Sequence, residues 1–163
     1  MNSAFQIKIT LTRIDPPIWR RILVPHNLNF ERLHDAIQLS MGWSFSHLYE
    51  FTVGDRRYGE PDPYSEPGSQ VCRAKNLKLS SVVERGIQKF TYLYDFGDYW
   101  EHEILIEKHV KAEKGRRYPV FVHGERRCPP EDIGGVDGFD EFLAAIKDPS
   151  HEEHQHYLDW AGE

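Results

Sequence analysis

Apolar and polar residues alternate from Phe5 to Leu11, where Phe5, Ile7, Ile9 and Leu11 are separated by Gln6, Lys8 and Thr10. That is the period of a strand with one buried face. Asp15-Pro16-Pro17 interrupts it, because proline supplies no ladder donor, and residues 18–24 resume as a second, neighbouring strand that ends at Pro25. The pattern then changes period. Asn29 is placed to cap a helix in which Phe30, Leu33, His34, Ile37 and Met41 recur every three or four residues before Gly42 stops it. His34 falls on the apolar stripe, where a hydrogen-bonded core histidine is expected.

Residues 47–53 read as a strand, Gly54-Asp55 as a tight turn and residues 56–58 as the short return. Residues 59–70 contain Pro61, Pro63, Pro67 and Gly68, the composition of an exposed flap. Ser81-Val82-Val83-Glu84 has capping-box spacing and predicts a short helix before Gly86. A long hairpin follows: Phe90, Tyr92, Tyr94 and Phe96 alternate on one arm, and Trp100, His102, Ile104 and Ile106 on the other. A two-residue turn at Gly97-Asp98 would set Asp95 opposite Trp100 and Leu93 opposite His102, all on one face; a longer, bulged turn would change this pairing.

Residues 108–117 form a charged connector and residues 118–122 a short extended segment. Residues 124–135 hold too much proline and glycine for regular structure and read as a shaped loop. Asp137 can cap a helix through Lys147, and a capping box at Ser150 and Glu153 opens a last helix carrying His154, Tyr157, Leu158 and Ala161. The fold class predicted is α+β: a single domain with a largely antiparallel sheet, one helix after the second strand and two at the C-terminus.

Composition adjusts this picture in three ways. The 163 residues, 39% hydrophobic and 13% aromatic, suffice for one core without disulfides or structural metal. A formal charge of -6 disfavours nonspecific DNA binding through the whole surface, although basic pairs such as Arg20-Arg21 and Arg126-Arg127 occur locally. Cys72 and Cys128 make no framework, and no leader or apolar run of about 20 residues stands out, so a soluble cytoplasmic protein without a membrane partner is expected.

The candidate chemistry concentrates in Tyr94-Asp95-Phe96-Gly97-Asp98-Tyr99-Trp100-Glu101-His102 and in the loop at Glu131-Asp132. Asp95, His102, Glu131 and Asp132 are the catalytic candidates, since a carboxylate beside imidazole makes an acid–base pair. Asp98, His102, Glu131 and Asp132 are the candidates for a divalent metal. The plain alternative gives Asp98 to the turn, Asp95 to backbone or arginine, and His102 to aromatic packing. His151 and His154 share a helix face but fit neither HExxH nor HxxEH. Cys128 would need His123 or His102 as a base to act as a nucleophile; otherwise it is a buried or loop-locking thiol.

Two function classes follow. The favoured one is a noncatalytic binding module without a cofactor, in which Trp19, Trp43, Tyr94, Asp98, Trp100 and Cys128, with the flap at 59–70, form a groove for a protein, a peptide or single-stranded nucleic acid. The alternative is a metal-dependent hydrolase built on Asp95, Asp98, His102, Glu131 and Asp132.

Pro17-Ile18-Trp19-Arg20-Arg21, Leu33-His34 through Ile37-Gln38 to Met41-Gly42-Trp43, Tyr94-Asp95-Phe96-Gly97-Asp98 with Trp100 and His102, and Cys128-Pro129-Pro130-Glu131-Asp132-Ile133-Gly134-Gly135 together resemble the plasmid pRiA4b ORF-3-like family over nearly the whole chain. The resemblance implies a single α+β domain and a mobile-element context, and it brings no established activity. A resolvase-like label carried by some members implies DNA recombination, yet no serine here sits in a nucleophile motif and no separate basic segment is present. Similar proteins often have cysteines at the positions of Phe121 and Ile133; with Cys128 alone, a closed thiolate site cannot form.

Overall fold

The computed structural model describes residues 3–64 and 70–162. Its strands are β1 (Ser3–Leu11), β2 (Ile18–Pro25), β3 (Tyr49–Val53), β4 (Arg56–Gly59), β5 (Val71–Arg73), β6 (Lys89–Tyr94), β7 (Trp100–Lys111) and β8 (Val120–Glu125). The helices are α1 (Phe30–Met41), α2 (Leu79–Glu84), α3 (Gly135–Lys147) and α4 (His154–Ala161). One eight-stranded sheet runs β5-β4-β3-β6-β7-β1-β2-β8, antiparallel except for the β4–β5 pair. The expected α+β class and helix placement hold.

Alternation in β1 produces the buried row Phe5, Ile7, Ile9 and Leu11, and β2 lies antiparallel beside it with Ile7 opposite Ile22. α1 covers this face with Phe30, Leu33, Ile37 and Met41. Asn29 caps it as predicted, its side chain accepting from the Arg32 N–H at 2.9 Å, and Gly42 ends it at a φ of 93° that only glycine adopts freely. Tyr92, Tyr94, Trp100 and Phe51 complete the core with essentially no exposed surface.

The organising hairpin differs from the expected register. Tyr94 pairs with Trp100 and Tyr92 with His102, so the strands close across residues 95–99 rather than a two-residue turn. Asp95 and Tyr99 adopt left-handed φ values of 62°, and the Tyr99 N–H donates back to the Asp95 carbonyl at 2.6 Å. Asp95 therefore does not face Trp100 and His102 across the strands. The wide loop wins because it lets Tyr94 and Trp100, two of the largest core side chains, point inward together.

Other boundaries also move. His47 lies outside β3, β7 extends into the expected connector as far as Lys111, and β8 begins at Val120. α3 starts at Gly135 with Gly134 as its cap, so Asp137 does not cap it. The capping box at residues 150–153 does not form: Ser150 bonds Asp148 through both its N–H and its hydroxyl, and α4 starts at His154. Of the flap, residues 65–69 lie outside the described residues, and Val71–Arg73 forms an unexpected edge strand. Among the described residues no helix is long and apolar enough to cross a membrane.

Candidate functional site

Three loops converge at one end of the sheet: residues 43–48 after α1, residues 95–99 of the hairpin, and residues 128–135 before α3. Buried polar groups hold them there. Gln38, fully buried on α1, donates to the Tyr92 hydroxyl at 3.0 Å and accepts the Phe45 N–H at 2.9 Å, fixing the first loop. The Asp95 N–H donates to the Leu48 carbonyl at 2.9 Å, tying the second loop to the first. Asp98 accepts the Gly134 N–H at 3.1 Å, and a Cβ on Gly135 would stand 2.6 Å from the Asp98 carbonyl, so the second and third loops touch only because residue 135 is glycine.

His47, Asp95 and Asp132 meet at this junction, with one ligand atom from each lying within 4.8 Å of the others. His47 Nε2 is 2.7 Å from Asp132 Oδ1, 3.5 Å from Asp95 Oδ2 and 3.8 Å from Glu131 Oε2. Two ligands each about 2.0–2.2 Å from a single ion lie about 3–3.5 Å apart, close to these separations. Glu131 divides its oxygens between two tasks. Oε1 accepts from the Ser44 N–H, the Ser44 hydroxyl and the Tyr94 hydroxyl at 2.8, 3.0 and 3.0 Å, whereas Oε2 is buried with no hydrogen-bond partner among the described residues. Tyr94 is pushed up to about 12, first by burial and then by Glu131, so it stays a neutral donor.

Backbone strain gathers at the same place. Phe45, Asp95, Tyr99 and Asp132 all have φ near +60°, in the left-handed region that L-residues rarely occupy. Such conformations cost about 1–3 kcal/mol each and persist where the surroundings over-determine them, most often at functional sites.

The structure redistributes the sequence candidates. Asp95, Glu131 and Asp132, three of the candidates, come together at this junction around His47. Asp98 sits in the same hairpin loop but serves the loop contact with Gly134. His102 is removed from the cluster: fully buried, it donates from Nδ1 to the Tyr92 carbonyl at 3.0 Å and accepts from Trp43 Nε1 at 3.4 Å. Burial lowers its pKa to about 4, so it is a neutral core residue with its tautomer fixed by those partners. His34 behaves likewise, stacked on Tyr49 and bonded to the Tyr92 hydroxyl at 2.6 Å.

The aromatic groove does not form. Trp43, Tyr94 and Trp100 are buried: the wide hairpin loop turns Tyr94 and Trp100 into the core, and Trp43, from the loop after α1, stacks on Trp100 at 5.7 Å. Trp19 lies on the opposite face of the sheet, under Lys8 and Arg21. Cys128 packs beside Gly42, and burial raises its thiol to about 11, so it is protonated at neutral pH. His123 rests edge-on to Trp19 and His102 is committed to the core, so neither is poised as its base. His151 and His154 bond the Glu153 N–H and the Ala145 carbonyl, which accounts for them locally.

Sequence reasoning missed His47 by extending β3 back to residue 47, and assigned no role to Ser44, which bonds Glu131. The available signal was the stretch Ser44-Phe45-Ser46-His47, polar at three of its four positions, between the helix-ending Gly42 and the first alternating residue, Tyr49.

The family model of plasmid pRiA4b ORF-3-like proteins matches residues 3–163. The chain belongs to this family. It is 43% identical over 160 residues to the uncharacterized protein y4hQ of Sinorhizobium fredii, a match that covers 98% of this chain and 81% of that one. Its fold is that of a crystal structure of a protein of unknown function, MM3350 from Methanosarcina mazei Go1, with a TM-score of 0.89 and 35% identity over 99% of this chain and 90% of the other.

Proposed function

We propose that this member of the plasmid pRiA4b ORF-3-like family binds one divalent transition-metal ion through His47, Asp95 and Asp132, with Glu131 Oε2 as a further donor, and that metal-assisted hydrolysis is the chemistry the site serves. The observation that carries this reading is a partly exposed histidine within 4 Å of three carboxylates, one of which turns toward it a buried oxygen with no hydrogen-bond partner among the described residues. One imidazole with hard oxygen donors suits Zn²⁺ or Mn²⁺ better than a thiolate-preferring ion. Asp132, 66% exposed at its side chain, leaves one side of the cluster open to solvent. An ion held there could accept and acidify a water molecule.

The binding-module reading built on Trp43, Tyr94 and Trp100 loses its surface, since those rings are internal. Two free cysteines support residence in a reducing cytoplasm. A mobile-element setting rests on the family description and adds no residue to the site.

The test is metal analysis of the purified full chain together with melting scans in Zn²⁺, Mn²⁺ and Mg²⁺. One bound ion per chain is expected, with a melting point raised by about 5–10 °C at a cation concentration a hundredfold above Kd. Asp95→Asn and Asp132→Asn should abolish that shift while keeping the left-handed turns, which asparagine tolerates. Absence of a bound ion and of any shift would leave the His47–Asp132 contact as a loop latch and overturn the proposal.

A further inference from the structure

The sheet has two edges, and only one is long. β5 has three residues, whereas β8 runs from Val120 to Glu125 with its outer side unpaired by any other strand among the described residues. Opposite β2 the pairs Arg21–His123 and Ile22–Phe121 leave Val122 as an extra residue, a bulge that re-aims the side chains around it. Phe121 and Val122 are 59% and 45% exposed, and Leu39 on the neighbouring flank of α1 is 69% exposed. Between α1 and β8 lies a groove of about 560 Å³, walled by Ile22, Ala36, Leu39, Pro119 and Phe121, with Arg20 among its lining residues.

Arg20 is the unusual component. Its guanidinium donates to the Ser40, Trp19 and Glu125 carbonyls at 2.8, 2.8 and 3.1 Å, all neutral acceptors, and no carboxylate pairs with it among the described residues. Its half-buried position is shaped by Gly124, where a Cβ would stand 2.8 Å from Arg20 Cδ and 2.7 Å from the Trp19 carbonyl. A cation that gives up part of its hydration without gaining a counter-charge is complementary to an anionic group brought by a partner.

We propose that the β8 edge and the β8–α1 groove form a docking site for an extended peptide segment of a partner protein, which adds as a ninth strand, sets an apolar side chain into the groove and brings a carboxylate to Arg20. Main-chain bonds to an open edge supply affinity, and alternate side chains supply selectivity. A second copy of this chain fits the site less well. Its equivalent patch would present the same uncompensated arginine, and the local Glu125 already pairs with Arg126 at 3.2 Å.

The probe is a phage-displayed library of random ten-residue peptides, selected on the immobilised full chain. Enriched peptides should carry an aspartate, a glutamate or a terminal carboxylate two residues from an aliphatic or aromatic side chain, the same-face spacing of a strand. Synthetic copies should bind about tenfold more weakly to Arg20→Met and to Leu39→Glu, and more weakly as salt rises. Leu39 is exposed enough that its variant retains the fold, and unchanged melting would confirm this. Selection of no peptide, or of peptides indifferent to Leu39→Glu, overturns the proposal. Concentration-dependent dimers in sedimentation that Leu39→Glu dissolves would overturn it in favour of a second copy. Asp95→Asn should bind the peptides normally, which separates this site from the metal site.

Discussion

His102 and His47 each lie against a tyrosine of β6, with ring centroids 5.2 Å from Tyr92 and 5.7 Å from Tyr94 respectively, yet their surroundings are opposed. His102 is wholly buried and meets only neutral partners, the Trp43 indole and the Tyr92 carbonyl. His47 is partly exposed and faces Asp95, Glu131 and Asp132. A low-dielectric core suppresses the charge of the first imidazole and engages both its nitrogens. The rim surrounds the second with negative charge and unused donor capacity. Residue type alone would have ranked the two alike.

The largest effect should come from His102→Ala, which opens a cavity and strips partners from Trp43 Nε1 and the Tyr92 carbonyl. Urea unfolding should show a loss of about 3–5 kcal/mol. Acidification probes the same region without mutation. His34 and His102 have pKa values lowered to about 4 by burial, against 6.5 when unperturbed. Above pH 6.5 both imidazoles are neutral whether folded or unfolded, so the native state carries no penalty there. Between pH 6.5 and 4 the unfolded chain takes up protons that the folded chain refuses, and stability falls; below about 4 this loss levels off. Linkage sets it at about 3 kcal/mol per histidine, to be read from urea melts at successive pH values. A flat profile over that window would contradict the assignment of both residues to a neutral core.

At the junction of the loops, Gly135→Ala should cost about 2 kcal/mol, because its φ of 74° and its approach to the Asp98 carbonyl both exclude a Cβ. Asp98→Ala should cost about 1 kcal/mol through the lost bond to Gly134. The smallest stability change belongs to His47→Ala, below about 1 kcal/mol without metal, since its ion pairs are partly solvated. That variant should nevertheless lose the cation-induced rise in melting temperature. If His47→Ala instead destabilises the chain as much as His102→Ala does, the contrast between rim and core collapses.

Much of the fold was legible because its signals are local. The alternation in β1, the Asn29 cap, the apolar stripe of α1 and the place of His34 as a hydrogen-bonded core residue all follow from periodicity and side-chain chemistry within a few residues. The hairpin was legible as a hairpin but not in register. Gly97-Asp98 reads as a two-residue turn, while packing of Tyr94 against Trp43, and of Trp100 against both Trp43 and Phe139, favours closing the strands at Tyr94 and Trp100. That one shift places Asp95 in a left-handed loop position and sets Tyr92, rather than Leu93, opposite His102.

The sequence by itself determined the α+β class, the two-strand start followed by a capped helix, and the presence of chemically capable acids at Asp95, Glu131 and Asp132. Only the tertiary structure decided which histidine they meet. His47 lies 48 residues before Asp95 and 85 before Asp132 in the chain, and it reaches them through a buried Gln38 contact to Phe45, a backbone bond from Asp95 to Leu48 and a glycine-dependent contact at residue 135. Such contacts join segments that share no periodicity, so they become visible only once the core has fixed where each loop must turn.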